Sequence, residues 1–144
     1  MDNLSKFADV INDLLLEHNI KPYNLYKSTG ISLSVIHYWL NKTRVPSLKN
    51  LIKLSDFFKC SLDYLTGRTE KNIYYQKVTS TFNERLKALM QTQGVSYRKL
   101  SKDTLIAVSN LTRFTNGKVY PLLNTAVKLA DYFSCSLDYL IGRD

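Results

Sequence analysis

Apolar positions recur along this chain at the three-to-four-residue spacing of amphipathic helices. Phe7, Ile11, Leu14, Leu15 and His18 mark an opening helix. Pro22 suits the first turn of a second helix, where its missing N–H is not needed, and Leu25 is that helix's inward anchor. Gly30 can take the left-handed conformation of a tight turn. Ser32 is placed to cap a third helix running to about Leu40, with Ile36, Trp39 and Leu40 inward. Pro46-Ser47 opens a fourth helix that buries Leu48, Leu51, Ile52, Leu54 and Phe58. Ser61 caps a short fifth helix holding Leu62 and Leu65, and Gly67 ends it.

The same pattern then starts again. CSLDYL stands at Cys60–Leu65 and at Cys135–Leu140. Shifting the chain by 75 residues aligns Phe7 with Phe82, Leu25 with Leu100, Pro46 with Pro121 and Asp56 with Asp131, without a gap over roughly 62 positions. Phe82, Leu86, Leu89 and Met90 build the second opening helix, and Ser96 caps the next. A third runs from about Ala107 to Thr115, a fourth from Pro121 to Phe133, and Ser136 starts the fifth. Strand signals are weak throughout. The expected fold is all-α, with two five-helix domains at residues 1–68 and 82–144 joined by a linker at 69–81. Domains of that size lie near the lower limit for independent folding. The linker, TEKNIYYQKVTST, is no Gly/Ser tether: Ile73, Tyr74, Tyr75 and Val78 are apolar enough to pack on a domain. Fully extended it reaches about 43 Å.

Composition narrows the function. The chain of 144 residues is 44% hydrophobic, and no apolar run is long enough to span a membrane. The start MDNLSKF lacks a basic, then apolar, leader pattern, so a cytoplasmic location is expected. Cys60 and Cys135 hold equivalent places, one per domain, and read as small packing residues rather than a disulfide. The net charge of +8 suits a polyanionic partner. Residues 7–68 carry eight Lys/Arg against five Asp/Glu, and residues 82–143 carry nine against four, so the second unit is the more basic.

Two short helices around a glycine turn, a polar-starting third helix, N-x-x-x-x-P and a closing SLDYLxG together resemble the Xre family of helix-turn-helix regulators, the lambda-repressor-like DNA-binding domains. LYKSTGISLSVIHYWLNKTRVPSL and LSKDTLIAVSNLTRFTNGKVYPLL carry the resemblance most strongly, and it covers nearly the whole chain outside the linker and the first residues. It implies that each third helix enters the major groove. The implied reading residues are Ser32, Leu33, Ser34, His37 and Tyr38 in the first unit, and Ala107, Val108, Ser109, Thr112 and Arg113 in the second. Asn41 and Asn116 match an asparagine that approaches phosphate, Thr43 and Lys118 a backbone-contacting position, and Pro22 and Tyr97 the start of helix two. Departures are instructive. An arginine–glutamate pair of the family is replaced by Leu15 with Leu40 and by Met90 with Thr115. Leu105 stands where the turn glycine belongs, which implies a strained or differently shaped turn, and Lys42 replaces a later glycine that the second unit keeps as Gly117.

The two third helices differ chemically. Ser109, Asn110, Thr112 and Arg113 are polar, and arginine can bind guanine O6 and N7 together. Arg98, Lys99 and Lys118 are nearby phosphate partners. In the first unit Leu33, Val35 and Tyr38 accompany His37, a set that suits thymine methyls and phosphate or, alternatively, a protein partner or a second copy of the chain. Lys42 and Arg44 favour phosphate. The ten tyrosines read as semi-buried packing residues at helix ends, and Trp39 and Phe114 as core. His18 and His37 have no ligand-spaced neighbours, and no catalytic set is visible, so neither metal, cofactor nor enzyme activity is expected. The expected function is a sequence-specific double-stranded DNA-binding regulator, a repressor, acting as a covalent pseudo-dimer; the alternative is a protein-interaction module on the first unit's third helix.

Overall fold

A computed structural model describes residues 1–75 and 77–143. Gln76, inside the expected linker, and Asp144, the last residue of the expected second domain, lie outside the described residues. The chain forms two compact units, Met1–Tyr74 and Tyr75–Asp144. Among the described residues the regular structure is all helical, with one isolated bridge between Val78 and Arg143.

The first unit holds α1 (Asn3–Glu17), α2 (Pro22–Thr29), α3 (Leu33–Leu40), α4 (Leu48–Phe58) and α5 (Leu62–Leu65). The second holds α6 (Phe82–Thr92), α7 (Tyr97–Thr104), α8 (Val108–Thr115), α9 (Leu123–Tyr132) and α10 (Leu137–Leu140). In each, the first helix packs on the third and fifth, the second on the third and fourth, and the fourth on the fifth. The cause is the apolar spacing. Phe7, Ile11, Leu14 and Leu15 line one side of α1 and are buried, as are Phe82, Leu86 and Met90 on α6. Each such side chain contributes about 1.5–3 kcal/mol on burial. His18 belongs to that stripe by spacing but is exposed at the α1 C-cap, resting against Phe58 with ring centroids 5.4 Å apart. Leu40, Ile52 and Leu89 are half-buried. Cys60 is fully buried, Cys135 half-buried, and neither forms a disulfide.

Hydroxyl caps set the helix starts. Ser47, Ser61, Ser96 and Ser136 each accept a hydrogen bond from the backbone N–H three residues on, at 2.9–3.1 Å. Ser32 departs from expectation: it holds the N-cap position of α3, but its hydroxyl makes no capping bond. The second unit's fourth helix also starts later than its proline, at Leu123 after an N-cap Leu122 that has no polar atom to cap with.

The turn before the third helix keeps its shape in both units. Gly30 sits at φ 75° and Leu105 at φ 63°, and each donates its N–H to the carbonyl four residues back at 2.8 Å. Leu105 is therefore left-handed and strained rather than reshaped. Lys42 is likewise left-handed, at φ 59°, where Gly117 has φ 73°.

Residues of the expected linker dock on both units. On the first, Asn72 Oδ1 accepts from the Ser61 N–H at 3.1 Å and the Tyr74 hydroxyl donates to Asp56 at 2.9 Å. On the second, the Thr79 N–H donates to the Gly142 carbonyl at 2.8 Å. Of the four apolar linker residues, Tyr74 is half-buried, whereas Ile73, Tyr75 and Val78 stay exposed. Backbone and polar atoms make this docking, which apolarity alone did not foretell.

Candidate nucleic-acid interface

In the second unit, helical periodicity turns Leu111, Phe114 and Thr115 of α8 into the core. That leaves Val108, Ser109, Asn110 and Arg113 exposed, with Thr112 half-buried beside them. The Thr112 hydroxyl donates back to the Val108 carbonyl at 2.9 Å, so it faces a ligand mainly as an acceptor. Ala107 at the N-cap offers no side-chain oxygen, and in the first unit Ser32 withholds its own. Both third helices therefore present first-turn N–H groups without a side-chain partner, which is the condition for holding phosphate or a base-edge acceptor.

Cations surround α8. Arg98, Arg113 and Lys118 are exposed, as is the neutral Asn116. Lys99 is drawn away: its ammonium lies 3.1 Å from Asp103, which also accepts from the Tyr132 hydroxyl at 2.8 Å. The Tyr132 hydrogen bond, then Lys99, holds the Asp103 carboxyl below the ordinary range. Asp103 in turn raises both Lys99 and Tyr132. Lys99 is thus a poorer phosphate partner than its spacing suggested.

Tyr97 plays a part the sequence did not reveal. Its hydroxyl shares a 2.7 Å hydrogen bond with Thr115, which is fully buried and also donates to the Thr112 carbonyl at 3.1 Å. This pair fastens α7 to α8 where the family's ion pair would stand nearby. The phenol hydroxyl is therefore committed internally, although the residue is exposed.

In the first unit Ile36 and Trp39 point inward, and Trp39 packs edge-on to Phe7 at 5.5 Å. Ser34 and His37 are exposed, while Leu33, Val35 and Tyr38 are half-buried. The Arg44 guanidinium lies 4.2 Å from the Tyr38 ring centre, and the Thr43 hydroxyl donates to the Tyr38 carbonyl at 3.1 Å. Lys42 pairs with Asp9 at 3.4 Å, an exposed contact worth at most about 1 kcal/mol. Asn41 is exposed beside them. This unit thus presents fewer uncommitted cations than its partner unit.

Sequence reading passed over Tyr23, the counterpart of Arg98 under the 75-residue shift. Tyr23 and Tyr26 are exposed on α2, with ring centroids 5.9 Å apart, and Tyr97, Tyr120 and Tyr139 are exposed too. Semi-buried packing therefore describes only part of the tyrosine set. Applying the repeat shift to the functional positions as well as the core would have found Tyr23.

No group of three or more His, Cys, Asp or Glu residues is placed to hold a metal ion among the described residues, and no helix there is long and apolar enough to cross a membrane. Residues 85–144 match the family of Cro/C1-type HTH DNA-binding domains, and residues 2–65 match the helix-turn-helix family. No curated protein and no solved structure matches the chain.

Proposed function

Because this chain is a tandem of two Cro/C1-type, Xre-like helix-turn-helix DNA-binding domains, we propose that it is a sequence-specific transcriptional repressor whose units bind one duplex as a covalent pseudo-dimer. The observation that carries this reading is α8: Ser109, Asn110 and Arg113 stand exposed on an uncapped helix whose opposite side, Leu111 and Phe114, is locked into the core. Arg113 reads guanine through O6 and N7, and Asn110 suits adenine N6 and N7. Arg98, Asn116 and Lys118 hold phosphates and fix register. In the first unit Ser34 and His37 face bases, and Asn41, Arg44 and Tyr23 face the backbone.

A tether raises the local concentration of the second unit to the millimolar range once the first has bound. With Tyr74 and Thr79 held on their units, less than the full linker is free, which supports a narrowly defined half-site spacing. Occupying a promoter requires binding alone, the activity these surfaces supply, and this supports repression. The rival reading, a protein partner on α3, has less support, because Leu33, Val35 and Tyr38 are half-buried rather than displayed.

Selection of bound duplexes from a random pool tests the proposal, using the whole chain and an Arg113→Ala variant. The expected result is a two-part asymmetric motif, with one guanine preference lost in the variant. Absence of any enriched motif, with only weak salt-sensitive binding, would overturn it.

A further inference from the structure

The duplication supplies an internal comparison that points to a second binding site. In the second unit Arg85 is only 9% exposed, although arginine is seldom buried without partners. Its guanidinium donates to the Tyr139 carbonyl at 3.1 Å and to the Thr79 hydroxyl at 2.8 Å, and lies 4.1 Å from the Tyr139 ring centre. An extended stretch runs beside it, with Val78 bridged to Arg143 and the Thr79 N–H bonded to the Gly142 carbonyl. The space between α6 and α10 is therefore filled by a guanidinium and an extended segment.

Moved back by 75 residues, Arg85 becomes Val10, Tyr139 becomes Tyr64 and Gly142 becomes Gly67. In the first unit these three line an open groove of about 300 Å³, together with Asp13, Thr69 and Glu70. No extended segment fills it, because the residues equivalent to Val78 and Thr79 are Asn3 and Leu4, the first turn of α1. The charge has also inverted. Asp13 replaces Ala88, and neither the Asp13 nor the Glu70 carboxylate has a hydrogen bond or ion pair among the described residues. Lys6 packs its stem beside Gly67 without pairing with either carboxylate.

We propose that this groove docks an arginine carried on an extended segment of another protein. The Tyr64 ring supplies the platform that Tyr139 gives to Arg85, and Asp13 and Glu70 supply acceptors for the guanidinium fork. The chain's own arginines do not fit the role. Arg44 stands in the turn that follows α3, over the Tyr38 ring, Arg68 is bound to Asp63 at 2.9 Å, Arg85 and Arg143 are buried, and Arg98 and Arg113 sit in helices α7 and α8. A second copy therefore offers no arginine on an exposed extended segment.

The test is titration of the isotope-labelled full chain with a blocked Val-Thr-Arg-Thr-Val peptide and its citrulline twin, followed by amide NMR shifts. The arginine peptide is expected to give saturable shifts at Val10, Asp13, Tyr64 and residues 67–70. Citrulline should bind about tenfold more weakly, the loss expected for one charge-assisted hydrogen bond. Asp13→Asn with Glu70→Gln, both at exposed positions, should abolish the response. So should Val10→Arg, which fills the groove from inside as Arg85 does in the other unit. Absence of saturation, shifts elsewhere, or equal binding of the citrulline peptide would overturn the proposal. Self-association of the free chain that these same substitutions abolish would assign the groove to a second copy and overturn it as well.

Discussion

Replacing Leu105 by glycine should stabilise the second unit. Leu105 holds φ 63° and ψ 22° at the C-cap of α7, where an L-residue with a Cβ costs about 1–2 kcal/mol relative to right-handed backbone. Its side chain is 85% exposed, so truncation forfeits almost no buried area. The bond from its N–H to the Ser101 carbonyl at 2.8 Å uses only backbone atoms and survives. Glycine returns about 0.5–1 kcal/mol through its greater freedom in the unfolded chain. The net gain is about 0.5–1 kcal/mol. Urea unfolding of the whole chain by far-ultraviolet circular dichroism measures it, and at a typical slope the midpoint attributable to the second unit should rise by roughly half a molar. Trp39, the single tryptophan, lies in the first unit, so its fluorescence tracks that unit separately. An unchanged or lowered dichroism midpoint would refute the strain argument and show that Leu105 makes contacts that offset its backbone.

Alanine at Gly142 should destabilise the second unit far more than alanine at Gly30 destabilises the first, because a Cβ at Gly142 collides with the Ser80 backbone while one at Gly30 meets nothing; thermal melts of the two variants compare them. The Asp103 cluster predicts a pH dependence with two limbs. The lowered carboxyl of Asp103 stabilises above its unfolded value near 3.9 and loses that contribution as pH falls through the folded value, while the raised Tyr132 and Lys99 lose theirs as pH rises above about 10. Asp103→Asn should flatten both limbs in a stability-versus-pH series. If the two units together neutralise about eight phosphates, operator affinity should fall with salt at a log–log slope near −7, and a slope near −3 or −4 would mean that one unit alone engages.

The core was legible because burial obeys one period. Phe7, Leu25, Leu48 and Leu62 are buried, and so are their repeat partners Phe82, Leu100, Leu123 and Leu137. The turn at Leu105 was legible in outline, since only two conformations were open to it. What stayed hidden was polar pairing across the fold. Tyr97 and Thr115 are 18 residues apart and become partners only when α7 and α8 cross. Arg85 and Tyr139 are separated by 54 residues, and in the sequence Arg85 counted only toward the charge of the second unit. Hydroxyls also have several possible uses. Ser96 caps its helix while Ser32, in a similar local pattern, does not, so the residue type alone did not decide.

Divergence between the repeats bears on how the proposed repressor meets its site. Inward positions of the third helices keep their character, with Ile36 and Leu111 fully buried and Trp39 and Phe114 packed against Phe7 and Phe82. The remaining positions do not: Val35 aligns with Asn110 under the shift, His37 with Thr112 and Tyr38 with Arg113, and only Ser34 and Ser109 are identical, with Leu33 and Val108 both aliphatic. A homodimer cannot diverge in this way, because one sequence supplies both reading helices and its site is correspondingly palindromic. Joining the units in one chain removes that constraint. Each helix can then suit a different half-site while the tether keeps the combined affinity. On the proposed reading the consequence is direction: two unlike units on two unlike half-sites fit in one order only, so the order of the half-sites fixes at which end of the site the first unit, which carries the Asp13–Glu70 groove, is bound.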